Sequence, residues 1–342
     1  MKAIALNGVK EFKLVDIDEP VSEPGRVLIA VKRSGICGSD IHYWDLGEPK
    51  GMVMGHEFAG TVLDPGNRRD LKFGDKVTAL PCTPCGKCES CLTGNTQRCP
   101  HVWDEGIGLS LKYPGGLTSK ISVREDMVMK LPDNVSFEQG ALVEPMAVGL
   151  HAAHLANIKV GDRVLVIGAG IIGLMSGYFA KREGASYVAI SETNKARGQN
   201  TTKLGVADGW FDPRTPDLIP KLVDATRGGF DVVLDCVGNS HSVADALTLI
   251  KSGGTIVNVG VSMKPIEFPV LSLMMKEVKF RGCMAYNKDE FATCIELIAR
   301  NQFEPLKFIS AIVGLGSVQI SYQRLTSGTD PAVKIMVDPS II

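Results

Sequence analysis

The sequence predicts an α/β protein with two domains, an irregular β-rich domain followed by a doubly wound parallel sheet. Three observations support this fold class. The 342 residues are enough for two hydrophobic cores. The chain before Ser136 is rich in glycine, proline and short apolar stretches, whereas from Asp162 onward short apolar strands alternate with helical stretches. That alternation is typical of a parallel sheet covered by helices on both faces.

The N-terminal part contains several apolar stretches of strand length separated by turn residues, which indicates an irregular β domain. These stretches are VLIAVKRSGI, EFAGTVL, GDKVTAL and SKISV. The character of the chain changes at Ser136, where SFEQGALVEPMAVGLHAAHLA predicts a single helix. Ser136 is the expected N-cap of that helix, with Glu138 and Gln139 in its first turn.

The second domain is predicted from strands and helices that follow each other in turn. They are the strand RVLVIG, the helix IIGLMSGYFAKREG, the strand YVAIS, the helix KARGQNTTKLG, the strand DVVLD, the helix SVADALTLIKSGG and the strand TIVNVG. After Asn287 the helix DEFATCIELIARN, a further helix-like stretch and the strand VKIMV close the chain.

Composition and charge exclude several classes of partner. Lysine and arginine number 37 against 38 aspartate and glutamate residues, so no basic surface for nucleic acid or anionic membrane is expected. The longest apolar run, Val164 to Met175, is too short to span a bilayer. The N-terminus lacks the features of a signal peptide, so we expect a cytoplasmic protein with neither nucleic-acid nor membrane partners.

Four cysteines in the run CTPCGKCESCLTGNTQRC have spacing typical of a tetrahedral structural zinc site. They are Cys85, Cys88, Cys91 and Cys99. Disulfides are disfavoured, because the chain is large, lacks an export signal and has nine cysteines, an odd number. An iron–sulfur cluster is the rival, although the last gap is seven residues and no second cysteine run exists. Cys82 is either a bystander or an alternative ligand.

A glycine motif predicts a dinucleotide site. Gly168, Gly170 and Gly173 form G-x-G-x-x-G directly after a predicted strand and at the start of a helix, where the pyrophosphate meets free backbone N–H groups. Glu192 ends the next strand 19 residues later. Its carboxylate can accept hydrogen bonds from the ribose hydroxyls and would repel a 2′-phosphate, which favours NAD over NADP. NADP is the alternative, because the nearby Arg197 could bind a 2′-phosphate.

Cys37, His56 and Glu144 have the chemistry of a second, catalytic metal site. Each lies in a setting flanked by glycine or at a strand end, and such a ligand set with one open position suits catalytic zinc. Because they are spread over more than 100 residues, spacing alone cannot unite them.

The chain resembles the zinc-containing medium-chain dehydrogenases/reductases, the superfamily of alcohol, sorbitol, threonine and butanediol dehydrogenases. The matching motifs run through most of the chain in family order: GICGSDIHYW, GHEFAG, GDKVTALP, the four-cysteine run, ALVEPMAVGLHAA, VLVIGAGIIGL and DCVG. The resemblance implies a GroES-like catalytic domain over residues 1–145 and 288–342 and a Rossmann domain over residues 146–287. Within this superfamily the chain is similar to the sorbitol and butanediol dehydrogenase branch.

The resemblance also implies two zinc ions per chain. Cys37 and His56 match catalytic zinc ligands, and Glu144 matches the third ligand of the sorbitol-type branch, where liver-type enzymes have cysteine. The four cysteines match the ligands of the structural zinc. A zinc-binding nucleic-acid module would need a more basic lobe, and a non-catalytic crystallin-like relative is expected to lack these three catalytic ligands.

Further roles follow from the same resemblance. Glu57 matches a carboxylate that contacts metal-bound water or transiently binds the metal. Ser39 and His42 match a proton relay that removes the substrate hydroxyl proton before hydride passes to the nicotinamide. Asp40 matches a carboxylate that orients His56, and Lys334 falls where relatives often carry a basic residue.

The implied reaction interconverts a small secondary alcohol, vicinal diol or short polyol with its ketone, using NAD(H). Tyr43 and Trp44 are expected to line the pocket, and Ala285 stands before Tyr286 where sorbitol dehydrogenases have arginine. The alternatives are a sugar-phosphate polyol dehydrogenase and an NADP-dependent ketone reductase. A homodimer or homotetramer is expected, paired through the sheet edge near LSLMM, although that run could equally be internal core.

Overall fold

The computed structural model describes residues 1–342, and the chain divides into two compact units. The first comprises Met1–Glu144 together with Tyr286–Ile342, and the second comprises Pro145–Ala285. None of the helices has the length and apolar character needed to cross a lipid bilayer.

The N-terminal part of the first unit consists of short strands and three short helices. These elements are β1 (Lys2–Gly8), β2 (Glu11–Asp16), β3 (Arg26–Gly35), α1 (Asp40–Leu46), β4 (Glu57–Asp64), β5 (Lys76–Ala79), α2 (Glu89–Leu92), β6 (Lys120–Arg124), β7 (Val128–Lys130) and α3 (Phe137–Ala141). Single 3-10 turns lie at Thr96–Arg98 and Glu125–Met127.

The second unit alternates strands with helices as the sequence predicts. Its elements, after α4 (Val143–Ala156), are β8 (Arg163–Ile167), α5 (Ile171–Arg182), β9 (Tyr187–Ser191), α6 (Lys195–Lys203), β10 (Gly209–Phe211), α7 (Leu218–Ala225), β11 (Phe230–Asp235), α8 (Ser240–Leu249), β12 (Ile250–Asn258), α9 (Val270–Met275) and β13 (Lys279–Gly282). The strands are parallel in the order β10-β9-β8-β11-β12-β13. This is the doubly wound order, whose switch point lies between β8 and β11.

The last segment of the chain completes the sheet of the first unit. It contains α10 (Lys288–Ala299), β14 (Ile309–Gly314), α11 (Val318–Thr326) and β15 (Lys334–Asp338), with 3-10 turns at Pro305–Phe308 and Leu315–Ser317. The sheet order is β14-β15-β3-β4-β5-β7, and β6 pairs with β3. In this register Gly35 of β3 lies opposite both Met336 of β15 and Glu57 of β4. The C-terminal strand β15 therefore pairs with β3 at the end of β3 that lies next to the candidate site.

The predicted helix that starts at Ser136 is two helices in the structure. Ser136 forms a capping box, in which its hydroxyl accepts from the amide of Gln139 and the Gln139 side chain accepts from the amide of Ser136. The predicted N-cap agrees with this geometry, but α3 ends at Ala141 and α4 begins at Val143. The expectation of one continuous helix was wrong, because a short capped turn precedes the long helix.

Each unit has a hydrophobic core of its own. In the first unit the core joins the N-terminal strands to the C-terminal segment, and its members include Leu6, Ile36, Trp44, Tyr322 and Val337. In the second unit the core lies between the parallel sheet and its helices, and its members include Leu165, Phe230, Val233, Leu247 and Ile256. Burial of such side chains stabilises each unit by about 1.5–3 kcal/mol per large residue.

Candidate metal centres and nucleotide site

A buried cluster of metal-ligating side chains lies where β3 ends and β4 begins. The ligand atoms of Cys37, His56 and Glu57 all lie within 4.8 Å of one another. Cys37 and His56 are almost fully buried, and Glu57 has no exposed surface. A thiol, an imidazole and a carboxylate gathered in a buried pocket are donors that zinc prefers in catalytic sites. The structure thus brings together two of the predicted ligands, with Glu57 as the third member.

His56 faces the buried carboxylate of Asp40. Nδ1 of His56 lies 3.3 Å from Oδ1 of Asp40, which leaves Nε2 as the nitrogen available to a metal. Burial opposes a charge on the ring, yet Asp40 and the Cys37 thiol together raise the pKa of His56 well above its usual value. A proton on this ring must leave before the ring binds a metal, so metal uptake here is favoured as the pH rises.

Glu57 is held by a buried lysine. Nζ of Lys334 donates to both carboxylate oxygens, at 2.7 and 2.6 Å, and also to the carbonyl of Ile36 at 2.7 Å. Neither charged side chain is exposed. Space for this carboxylate depends on Gly35, because a Cβ at that position would lie 2.0 Å from Oε2 of Glu57. The basic residue implied near the C-terminus therefore pairs with a member of the metal-ligating cluster.

Glu144 does not belong to the set of ligand atoms that lie within 4.8 Å of one another. It lies in the first turn of α4, and its Oε1 accepts a hydrogen bond of 2.9 Å from the buried hydroxyl of Tyr286. Burial raises the pKa of Glu144 to about 7, although the charge of His56 acts in the opposite direction. The charge of His56 therefore acts on Glu144, and the hydroxyl of Tyr286 fixes the Glu144 carboxylate.

The relay residues lie next to the cluster along the chain. The hydroxyl of Ser39 lies 3.2 Å from Sγ of Cys37, and both Ser39 and His42 are half-buried. Two aromatic residues were expected to line the substrate pocket, Tyr43 and Trp44. Trp44 is buried in the hydrophobic core of the first unit, and Tyr43 packs against the same core. The structure therefore gives Trp44 a packing role.

The four cysteines of the lobe converge on one point. Their sulfur atoms all lie within 4.8 Å of one another, and Sγ of Cys88 lies 3.6 Å from Sγ of Cys91. Zinc–sulfur bonds of about 2.3 Å in a tetrahedron place neighbouring sulfurs about 3.8 Å apart, so the set fits such an ion. All nine cysteines are free thiols, as expected if the cluster binds metal instead of forming disulfides.

Backbone N–H groups further suit this lobe to thiolate ligands. The amides of Cys85 and His101 donate to Sγ of Cys99, at 3.3 and 3.4 Å. The amides of Lys87 and Cys88 lower the pKa of the Cys85 thiol to about 6. Cys82 lies outside the lobe cluster, and burial raises the pKa of its thiol to about 12.

The glycine turn of the second unit has the geometry of a phosphate-binding loop. Gly168 has φ of +97°, which is the left-handed region that favours glycine. A Cβ at Gly173 would lie 1.9 Å from the carbonyl oxygen of Gly168, so only glycine allows the strand and α5 to pack this closely. Gly170 is the N-cap of α5, and nothing lies within 4 Å of a Cβ built there. The turn leaves open space at the N-terminus of a helix.

Glu192 lies directly after β9 and is joined to this turn. Its Oε2 accepts from the amide of Ala169 at 2.8 Å, and its Oε1 accepts from the amide of Asn194 at 2.7 Å. Arg197, in the first turn of α6, is half-buried, and its Nε has no hydrogen-bond partner. The structure thus brings the carboxylate of Glu192 to the phosphate-binding turn. The guanidinium of Arg197 follows it five residues later in the chain.

The contact of Tyr322 is among those that the sequence reasoning missed. The hydroxyl of Tyr322, on α11, lies 3.3 Å from Oδ2 of Asp40, and the two residues are separated by 282 positions. Tyr322 stands in no motif, so no local signal in the sequence could have revealed it.

Comparison with known proteins decides the family. A family profile described as "Alcohol dehydrogenase GroES-like domain" matches residues 23–133, and one described as "Zinc-binding dehydrogenase" matches residues 172–300. The D-xylulose reductase of Saccharomyces cerevisiae is 34% identical over 322 residues, which cover 90% of this chain and 89% of that protein. The chain belongs to the zinc-containing alcohol dehydrogenase family. The predicted family membership is confirmed, and this zinc dehydrogenase is an oxidoreductase.

Solved structures agree with this family assignment. The chain is similar to 2R,3R-butanediol dehydrogenase from Bacillus subtilis, with 30% identity, a TM-score of 0.87 and 99% of each chain covered. It is also similar to an oxidoreductase of unknown specificity from Escherichia coli, with 32% identity, a TM-score of 0.91 and 98% of each chain covered. The predicted combination of a GroES-like domain with a Rossmann domain is confirmed for this zinc dehydrogenase.

Proposed function

We propose that this chain is a zinc-dependent NAD(H) oxidoreductase that interconverts a small secondary alcohol, a vicinal diol or a short polyol with its ketone. The observation that carries the proposal is the buried cluster of Cys37, His56 and Glu57 in a member of this family. The relatives named D-xylulose reductase and butanediol dehydrogenase support a substrate with neighbouring hydroxyl groups.

In this proposal Cys37 and His56 hold the catalytic zinc, and the third protein ligand is Glu144, with Glu57 as the carboxylate beside it. When bound, zinc acts as a Lewis acid that lowers the pKa of a substrate hydroxyl. Ser39 is the proton acceptor, because its hydroxyl lies 3.2 Å from Cys37 Sγ, at the edge of the cluster. His42 passes the proton toward solvent. The four lobe cysteines hold the second zinc in a structural role, because four thiolates leave no open position.

NAD is the proposed cofactor because Glu192 ends the strand beside the phosphate-binding turn. Its carboxylate is oriented by two backbone amides, where it can accept hydrogen bonds from ribose hydroxyls and repel a 2′-phosphate. An NADP-dependent ketone reductase is the second candidate, and the unpartnered Nε of Arg197 is the observation that favours it.

Replacing Glu192 with alanine is expected to weaken NAD binding about tenfold or more and to improve the ratio of NADP to NAD affinity. The reason is the loss of a charged hydrogen-bond acceptor together with the loss of repulsion toward the 2′-phosphate. Fluorescence titration with both cofactors measures this. Glu183→Ala, on the residue that follows α5, is the matched control. An unchanged cofactor ratio in Glu192→Ala would contradict the assignment.

The substrate is proposed to be short. Ala285 supplies no guanidinium beside the buried Tyr286, which weakens the case for a long polyhydroxylated substrate. A sugar-phosphate polyol remains the alternative. A panel of secondary alcohols, vicinal diols, polyols and polyol phosphates with NAD, followed by the absorbance of reduced nicotinamide, tests the proposal. Turnover confined to polyol phosphates, or no turnover of any panel member, would overturn it.

A homodimer or homotetramer is proposed from the surface of the second unit. Strand β13 pairs only with β12, so its other edge is free to pair with a second copy. Beside it in the chain, α9 exposes four large apolar side chains, each by more than half: Val270, Leu271, Met274 and Met275. An apolar face next to a free strand edge is a surface that a second copy would cover.

The double variant Leu271→Glu with Met275→Glu is expected to sediment as a single chain, whereas the wild-type protein sediments as a dimer or tetramer. Two buried charges at such an interface cost more than an ordinary dimer can compensate. Analytical ultracentrifugation measures the difference. Phe73→Glu, at an equally exposed apolar residue of the first unit, is the control. A wild-type chain that is monomeric at micromolar concentration would refute this prediction.

A further inference from the structure

Three buried carboxylates of the first unit are each held by one side chain from the last segment of the chain, residues 286–342. Each contact joins residues that are at least 142 positions apart. The three contacts are Tyr286 to Glu144, Lys334 to Glu57, and Tyr322 to Asp40. The contact of Tyr322 differs from the other two, because the carboxylate that it holds faces the imidazole of His56.

The ring of Tyr322 is fixed in the hydrophobic core. It has no exposed surface. Its ring centroid lies 4.7 Å from that of Phe12 in an edge-on contact and 5.8 Å from that of Trp44. Aromatic contacts of this kind restrict the ring to one orientation. The hydroxyl therefore has a defined position, set by packing that is independent of Asp40.

Only one strong acceptor lies near this hydroxyl. Its oxygen is 3.3 Å from Oδ2 of Asp40 and 3.7 Å from the thioether sulfur of Met54, which is a weak acceptor. Burial and the nearby charge of Asp40 raise the pKa of Tyr322 well above its usual value. The hydroxyl therefore stays protonated and donates a hydrogen bond to the carboxylate. A buried hydroxyl that donates to a buried carboxylate fixes the orientation of that carboxylate.

The other oxygen of the same carboxylate faces the metal-ligating histidine. Oδ1 of Asp40 lies 3.3 Å from Nδ1 of His56, and this ion-pair contact is the nearest polar partner of both atoms, which are buried and make no hydrogen bond. Rotation of the Asp40 carboxylate would therefore change the position of the one acceptor available to the imidazole N–H. Such outer contacts determine which nitrogen a histidine presents to a metal and how firmly it is held.

We propose that Tyr322 is a positioning residue of the catalytic metal site, which acts through Asp40 to hold His56 in its metal-binding orientation. The C-terminal helix α11 thereby contributes to metal retention although it supplies no ligand. The proposal rests on the proposed catalytic role of Cys37 and His56, but it concerns metal retention and needs no particular substrate.

The test is the rate at which the zinc-loaded protein releases metal to an excess of a chromophoric chelator. Tyr322→Phe keeps the ring and its packing and removes only the hydroxyl. We expect one of the two zinc ions to be released about tenfold faster than in the wild-type protein, in the range typical of lost outer contacts. The zinc of the cysteine lobe should be released at the wild-type rate. Tyr113→Phe, at a half-buried tyrosine whose ring packs on Arg26, is the matched control and should change neither rate.

A second variant shows whether the effect passes through Asp40. In an Asp40→Asn background the addition of Tyr322→Phe should change the release rate by less than about twofold, because the acceptor of the hydroxyl is already altered. Full additivity of the two changes would overturn the proposal, and so would equal acceleration of both zinc ions, which indicates general loosening of the fold. A wild-type release rate in Tyr322→Phe would overturn it as well. If the release rates behave as expected but no alcohol is oxidised, this inference stands and the proposed substrate class fails.

Discussion

Replacing His56 with alanine is expected to lower kcat/KM for alcohol oxidation by a factor of about a thousand or more. The imidazole is one of the two metal-ligating side chains that both the sequence and the buried cluster assign, and its loss removes Lewis-acid activation of the hydroxyl. Binding of NAD should stay within about twofold of the wild-type value, because the glycine turn and Glu192 belong to the second unit. Steady-state kinetics and a fluorescence titration with NADH measure the two effects.

The control for this variant is His241→Ala, at an exposed histidine of α8, which should have wild-type kinetics. A His56→Ala protein that keeps near-native turnover would show that the buried cluster is not the catalytic metal site. A protein that loses NAD binding as well would show that the substitution had damaged the fold, and far-ultraviolet circular dichroism distinguishes this from a local effect.

Replacing Lys334 with methionine is expected to destabilise the metal-free protein by about 3–5 kcal/mol. The substitution leaves the fully buried Glu57 without the ammonium group that donates to both of its oxygens. Removal of one partner of a buried ion pair costs this much because an uncompensated charge is left in a medium of low polarity. Urea denaturation followed by intrinsic fluorescence measures the loss of unfolding free energy.

Two comparisons make this prediction specific. Adding Glu57→Gln to Lys334→Met should recover part of the lost stability, because the buried charge is removed with its partner. Lys2→Met, which breaks an ion pair with the exposed Asp16, should have little effect, since water solvates both charges. If Lys334→Met unfolds at the wild-type urea concentration, the ion pair does not stabilise the fold as argued.

Local patterns in the sequence were sufficient for much of the fold and for two of the sites. The glycine motif predicts a tight turn because its requirements, positive φ at Gly168 and close packing at Gly173, are met within six residues. The four-cysteine run is similarly local, and its sulfur atoms converge as its spacing predicts. The parallel sheet follows from apolar strands that alternate with helices, and the structure has that order.

The partners of the buried carboxylates could not be predicted in the same way. Asp40, Glu57 and Glu144 each accept from a residue of the C-terminal segment, at separations of 282, 277 and 142 positions. These contacts depend on β15 pairing with β3 and on the packing of α11 into the core, and no short motif encodes either. The break at Leu142 was missed for another reason, since both flanking stretches have helical patterns and only the capped geometry separates them.

The measurement that tests the central claim most directly is the metal content of the purified protein, compared with that of the Cys37→Ala variant. Inductively coupled plasma mass spectrometry should find about two zinc ions per wild-type chain, one at each cysteine-containing site. The variant should keep about one zinc, in the lobe, and lose alcohol oxidation. Iron in place of zinc, or a wild-type chain with a single zinc that Cys37→Ala retains, would contradict a catalytic zinc at Cys37 and His56.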